Sequence, residues 1–130
     1  MQSLRSRIPA ALILVVLAFP ASAAAETWSG SFTGASRHET SGTVTISSDA
    51  GGYVVTLGSD FAFDGAPDPK LAFGSARTID AKTIFAPLAK NAGRQSYRLP
   101  ASIEPSAFST FYLWCQRFNV PLGKASLARR

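Results

Sequence analysis

The sequence predicts an all-β protein, a single antiparallel β-sandwich or barrel-like domain. Three observations carry this. Apolar and polar residues alternate over short runs, as in Thr43-Val44-Thr45-Ile46, and that period puts every second side chain on one face of a strand. Clusters of Gly, Pro, Asp and Asn separate the runs at close intervals. No long 3.6-residue period follows residue 26, so less than about a tenth of the domain is expected to be helical.

Taken in order, residues 28–32 open the domain. Residues 42–46 alternate, with Val44 and Ile46 on one face and threonines on the other. Asp49-Ala50-Gly51-Gly52 is a turn, because glycine accepts positive φ. Tyr53, Val55 and Leu57 then share a face, so residues 42–57 form a hairpin. Phe61 and Phe63 alternate next. Residues 64–69 hold two prolines and a glycine and form neither strand nor helix. Residues 70–73 resume the extended pattern. Residues 79–90 hold either a short helical turn or a loop around Pro87. After a turn at Asn91-Ala92-Gly93, Tyr97 and Leu99 point inward. Residues 100–105 turn again. Residues 111–115 have no polar interruption, so both faces need cover and the run reads as a central strand. Phe118, Val120 and Leu122 continue the apolar pattern, and Gly123 permits a turn toward Ala125 and Leu127. The Cys-Trp-Cys spacing of an antibody domain is absent.

The first 25 residues read differently. Arg5 and Arg7 precede an apolar run over residues 10–19, then Pro20 and the small residues Ala21, Ser22, Ala23, Ala24 and Ala25. This is the pattern of a cleaved secretory signal peptide, ending after Ala23 or Ala25. The run is shorter than the roughly 18 apolar residues of a membrane span, so no span is expected after cleavage. Residues 26–130 then form the mature domain, periplasmic or secreted and expected to be monomeric. Cleavage takes the net charge from +5 to +3, since Arg5 and Arg7 are lost and all acids lie beyond the cut. Lys and Arg are scattered, which argues against nucleic acid as a partner. The closing pair, Arg129 and Arg130, reads as a solvated tail.

The chain has one cysteine, Cys115, and one histidine, His38. A structural zinc cage needs about four such ligands and is excluded by count. Cys115–His38 is the only cysteine-based nucleophile–base pair available, and no phosphate-binding glycine loop is present. Asp60, Asp64 and Asp68 recur every four residues; ordinary turn chemistry explains them better than a calcium loop. By strand alternation Cys115 lies with Phe111 and Leu113, while Tyr112, Trp114 and Gln116 face the other way. A thiol in that company is either a small buried hydrophobe or, if the face lines a pocket, a redox thiol or cofactor ligand. His38, in a polar loop, is either a surface hydrogen bonder or a second ligand opposite Cys115.

These pieces resemble the DM-thirteen domain, an electron-transfer domain found alone in secreted bacterial proteins and beside DOMON domains in animal surface proteins. The matching segments are Gly30-Ser31-Phe32; His38-Glu39-Thr40-Ser41-Gly42-Thr43-Val44; residues 61–70 with Pro67-Asp68; residues 93–100 with Gln95, Tyr97 and Leu99; and residues 111–122 with Trp114-Cys115 and Phe118, followed by residues 123–127. Lys70 departs from the family pattern, which often has an apolar residue there. The resemblance implies a β-rich fold, a signature cysteine at Cys115, and a redox role through a naked thiol or a bound prosthetic group. The expected function is thus a secreted or periplasmic electron-transfer module centred on Cys115, with His38 and Trp114 as further cofactor-binding candidates. It is an accessory redox domain rather than a stand-alone enzyme, and its partner is an unidentified redox protein. Haem or copper suits such a site, and so does no cofactor at all. The alternative is a non-catalytic binding module in which Cys115 only packs.

Overall fold

The computed structural model describes residues 9–18 and 26–130. The arginines and the cleavage region of the expected signal peptide lie outside the described residues. Residues 9–18 have no regular structure, and the apolar side chains of residues 12–17 are exposed. Among the described residues no helix is long and apolar enough to cross a membrane.

From residue 27 the chain is nearly all β. Its strands are β1 (Thr27–Gly34), β2 (Thr40–Ser41), β3 (Thr43–Asp49), β4 (Gly52–Leu57), β5 (Ala62–Phe63), β6 (Pro69–Gly74), β7 (Ala86–Pro87), β8 (Gln95–Arg98), β9 (Thr110–Cys115), β10 (Val120–Ser126) and β11 (Ala128–Arg129). The only helical turns among the described residues are single 3-10 turns at Ala81–Thr83 and Pro105–Ala107. The ambiguous stretch before Pro87 therefore holds both a turn and a short strand.

One antiparallel sheet runs β7-β6-β9-β10-β1-β3-β4-β8, with β11 also paired to β1, and β2 pairs with β5 apart from it. The long strand β1 joins the two halves. Its residues 27–31 pair with β3, and Phe32, Thr33 and Gly34 pair with β10. The halves close on one core in which Val44, Ile46, Val55 and Leu57 meet Leu71, Phe73, Phe111, Leu113 and Leu122. The free edges β7 and β8 are not joined by a backbone ladder. Side chains bridge them instead: Ala89 N–H donates to Tyr97 Oη (2.9 Å), Lys90 N–H to Gln95 Oε1 (3.2 Å), and Gln95 Nε2 to Lys90 O (2.9 Å). The result is a sandwich-like, nearly closed barrel.

The 42–57 hairpin forms as the alternation requires. Val44 faces Leu57 and Ile46 faces Val55 in register. Its turn is fixed by Asp49, which accepts from Gly51 N–H and from both ends of the Arg98 guanidinium. Two expectations need correction. Phe118 does not join the apolar pattern: it sits between β9 and β10, 63% exposed. Gly123 is no turn, because β10 runs straight through it with a register shift between Pro121 and Gly123. A side chain at Gly123 would meet Thr40 Cβ at 2.7 Å, and Thr40 Oγ1 donates to Leu122 O in that buried contact.

The barrel holds its tyrosines neutral. Burial, then hydrogen bonds to Glu26, push the Tyr53 phenol from 10.0 up to about 12. Burial also raises Tyr97 and Tyr112. A group with a raised folded pKa contributes stability that is complete below its unfolded value and is lost as pH rises through the folded one. An ultraviolet absorbance titration should thus show less phenolate at pH 10 in the native protein than in the unfolded chain, which is half ionised there. Stability should fall between pH 10 and about 12, the Tyr53 value. Native phenolate that appears with an ordinary midpoint would contradict this packing.

Candidate functional site

Strand β9 is the best-covered strand of the sheet. All six of its residues are buried, because β6 and β10 flank it and both its faces are packed. Phe111, Leu113 and Cys115 belong to the main core. Tyr112 and Trp114 pack on the outer face with Ala72, under Ile79 and Ile84 from the segment after β6. This is the face assignment that the alternation predicts.

Cys115 ends β9, opposite Pro69 on one side and Val120 on the other. It is 1% exposed, and its thiol donates to the Pro67 carbonyl (Sγ···O 3.1 Å). Pro67 belongs to the irregular loop over residues 64–68. That loop turns because Gly65 and Asp68 both take positive φ. Its far end is held by Asp64, whose carboxylate accepts from Glu39 N–H (3.0 Å) and sits 2.9 Å from His38 Nδ1. Its near end is held by Asp68, which binds Lys70 (3.1 Å) and whose carbonyl accepts from Gln116 N–H (3.2 Å).

His38 and Cys115 are therefore tied to opposite ends of one loop and share no hydrogen bond. The His38 ring lies 5.8 Å from the Phe63 ring. The Glu39 N–H, followed by His38, holds the Asp64 carboxyl below its ordinary value. The three spaced aspartates have separate jobs: Asp60 accepts from Thr43 N–H and its hydroxyl, Asp64 anchors the loop and Asp68 pairs with Lys70. Among the described residues no three His, Cys, Asp or Glu side chains gather as a metal site.

Trp114 is 6% exposed. Its indole N–H is buried without a hydrogen-bond partner. Such a bare donor costs about 1–3 kcal/mol. Its ring meets Tyr112 edge-on at 6.1 Å, and the Tyr112 hydroxyl donates to Ser75 O (2.6 Å). Lys70, the departure from the family pattern, is the residue directly opposite Trp114 on β6.

The residues around Cys115 do not fit a haem as they are folded. The thiol is sealed among Phe111, Leu113 and their neighbours, and the cleft beside the next residue, between Lys70, Ile84 and Gln116, is lined without it. A planar macrocycle on Sγ would have to displace core side chains, and His38 is committed to Asp64. The chemistry the arrangement does support is that of a shielded thiol whose proton points at a carbonyl. Sequence reasoning missed Pro67 and Asp64 as the partners of Cys115 and His38. The Asp64-Gly65 turn pair marks the loop, but nothing local shows where it folds.

No curated protein and no solved structure matches the chain. A family match covers residues 31–127 under the description Electron transfer DM13. It takes in every strand from β2 to β10 and the second half of β1, and with them His38, Pro67, Trp114 and Cys115. That span makes the domain an electron-transfer-related module, and the chain a member of the electron-transfer DM13 family.

Proposed function

We propose that this protein is an exported electron-transfer module whose redox group is the Cys115 thiol. The observation that carries the reading is the position of Cys115. The single thiol of an electron-transfer family member ends the central strand, with its S–H held in a hydrogen bond to Pro67 O. Burial shields it from the disulfide dimers that an exposed lone thiol forms in an oxidising space. Export is supported by Arg5, Arg7, the apolar run and the small residues that follow it.

A second reading, a binding module with Cys115 as filler, is favoured by one observation. Cys115 packs in the main core beside Phe111 and Leu113 as a small hydrophobe would. Cys115→Ser separates the two. The hydroxyl is nearly isosteric and has Pro67 O within reach, so the fold should survive with a loss of about 1 kcal/mol. Protein-film voltammetry of the wild type should show a thiol-dependent signal that the variant lacks, while its β-rich circular dichroism is unchanged. An identical voltammogram from both proteins would leave Cys115 as packing alone.

A further inference from the structure

Arg129 and Arg130, expected as a solvated tail, are part of the sheet. Arg129 and Ala128 pair with Trp28 and Ser29 of β1, and Arg130 N–H donates to Thr27 O at 2.8 Å. The two guanidinium groups then diverge. Arg129 binds Glu26 (2.6 Å) and lies 5.7 Å from the centre of the Trp28 ring. Arg130 Nε donates to Ser29 Oγ (2.7 Å), and Arg130 forms no ion pair among the described residues.

Arg130 walls a concavity of about 540 Å³ on the outer face of β1, β3 and β11. Hydroxyls make most of the rest: Thr27, Ser29 and Ser31 from β1, Thr43 and Thr45 from β3, and Ser126 from β10. The register sets them opposite one another, Ser29 beside Thr45 and Ser31 beside Thr43. The row continues across the sheet through Thr56 to Ser96. No acidic and no aromatic side chain lines the hollow, although the Thr43 hydroxyl is committed to Asp60 at its edge.

These chemistries select a ligand class. Hydroxyls both donate and accept, so a grid of them matches a molecule that carries hydroxyls of its own. A guanidinium with uncommitted N–H groups recognises a planar or tetrahedral oxyanion by paired bonds. Without an aromatic platform there is nothing to stack a neutral sugar ring on, so the charge must be the anchor. We propose that this hollow binds an anionic sugar, with its carboxylate or phosphate on Arg130 and its ring hydroxyls over Ser29, Ser31 and Thr45. No lining residue belongs to β6 or β9, so the site is independent of Cys115 and of the redox reading.

Amide NMR titrations of the full chain with glucuronate, glucose 6-phosphate, glucose and inorganic phosphate test this. Both sugar anions, or one of them if the site distinguishes carboxylate from phosphate, should give saturable shifts centred on Ser29, Ser31 and Thr45. Glucose should bind about tenfold more weakly or worse, and Arg130→Ala should weaken the sugar anions by about tenfold without disturbing the rest of the spectrum. Thr45→Val, which keeps shape and strand propensity, should weaken them severalfold. The proposal is overturned by the absence of saturable shifts from both sugar anions, or by unchanged affinity in Arg130→Ala. Inorganic phosphate that binds as tightly as the sugar anions would also overturn it, because the hydroxyl grid would then contribute nothing.

Discussion

Phe111→Ala is expected to cost the domain about 3–5 kcal/mol, the range for emptying a large aromatic site in a close-packed core. Phe111 is where both halves of the barrel and the β6–β7 segment converge. Its ring lies 5.1 Å from Phe73, 6.0 Å from Phe32 and 6.4 Å from Phe85. Phe73 and Phe111 face each other across β6 and β9, so collapse around the cavity would have to distort the central ladder. A loss of this size is a large share of the roughly 5–15 kcal/mol that keeps a domain folded. It should lower the melting temperature by more than about 12 °C. Phe118→Ala is the control. That side chain is exposed, and its removal should change stability by less than about 0.5 kcal/mol. Urea unfolding of the two variants measures both numbers, and equal effects would refute the assignment of the core.

Gly42→Ala is expected to be nearly as damaging, by about 2–5 kcal/mol, for two reasons that add. Gly42 takes φ +99°, where a Cβ is strained. Its Cβ would also sit 2.5 Å from Phe61 Cα and 2.6 Å from Asp60 O, which are backbone atoms that cannot rotate away. The comparison that isolates the second reason is Gly52→Ala. Gly52 has φ +126° but nothing within 4 Å of the added carbon, so only the backbone penalty of about 1–3 kcal/mol applies. Thermal unfolding should rank Gly42→Ala well below Gly52→Ala. The damage should also reach the site. Gly42 sets the approach of β2 to β5 (Thr40 opposite Phe63), and β5 leads directly into the loop that covers Cys115.

Strand alternation carried the reading of the sequence wherever one face is apolar. Val44, Ile46, Val55, Leu57 and the whole of β9 sit where the period puts them, because burying those side chains dominates their local energetics. Alternation also puts Gln95 on the inward face with Tyr97 and Leu99, and it is buried there with its amide closing the seam against Lys90. The pattern is silent where the contacts are tertiary. Arg129 and Arg130 read as a tail since nothing local reveals the Glu26 and Ser29 they meet. Phe118 misled in the opposite sense, as an apolar residue left in water. At the site, alternation placed Cys115 among Phe111 and Leu113 correctly. The separation of Cys115 from His38 depends on how the loop over residues 64–68 folds back, and its prolines and glycine specify a turn without specifying a direction.

The joining of both halves through β1 also bears on how the protein folds. β1 leaves first in the chain, yet its partners along one edge are β10 and β11, at the other end: Trp28 opposite Arg129 and Phe32 opposite Ala125. A chain whose first strand waits for its last must close a loop of nearly its own length before its two halves are joined. High contact order of this kind slows folding to about milliseconds or seconds. The early hairpin of β3 and β4 can form alone, but the strand that carries Cys115 gains its second neighbour only when β10 has docked. Until β10 arrives, the thiol has only the β6 side of its ladder. The window in which Cys115 is open to reagents during folding therefore closes with the docking of β10 on β9, and not with the early hairpin.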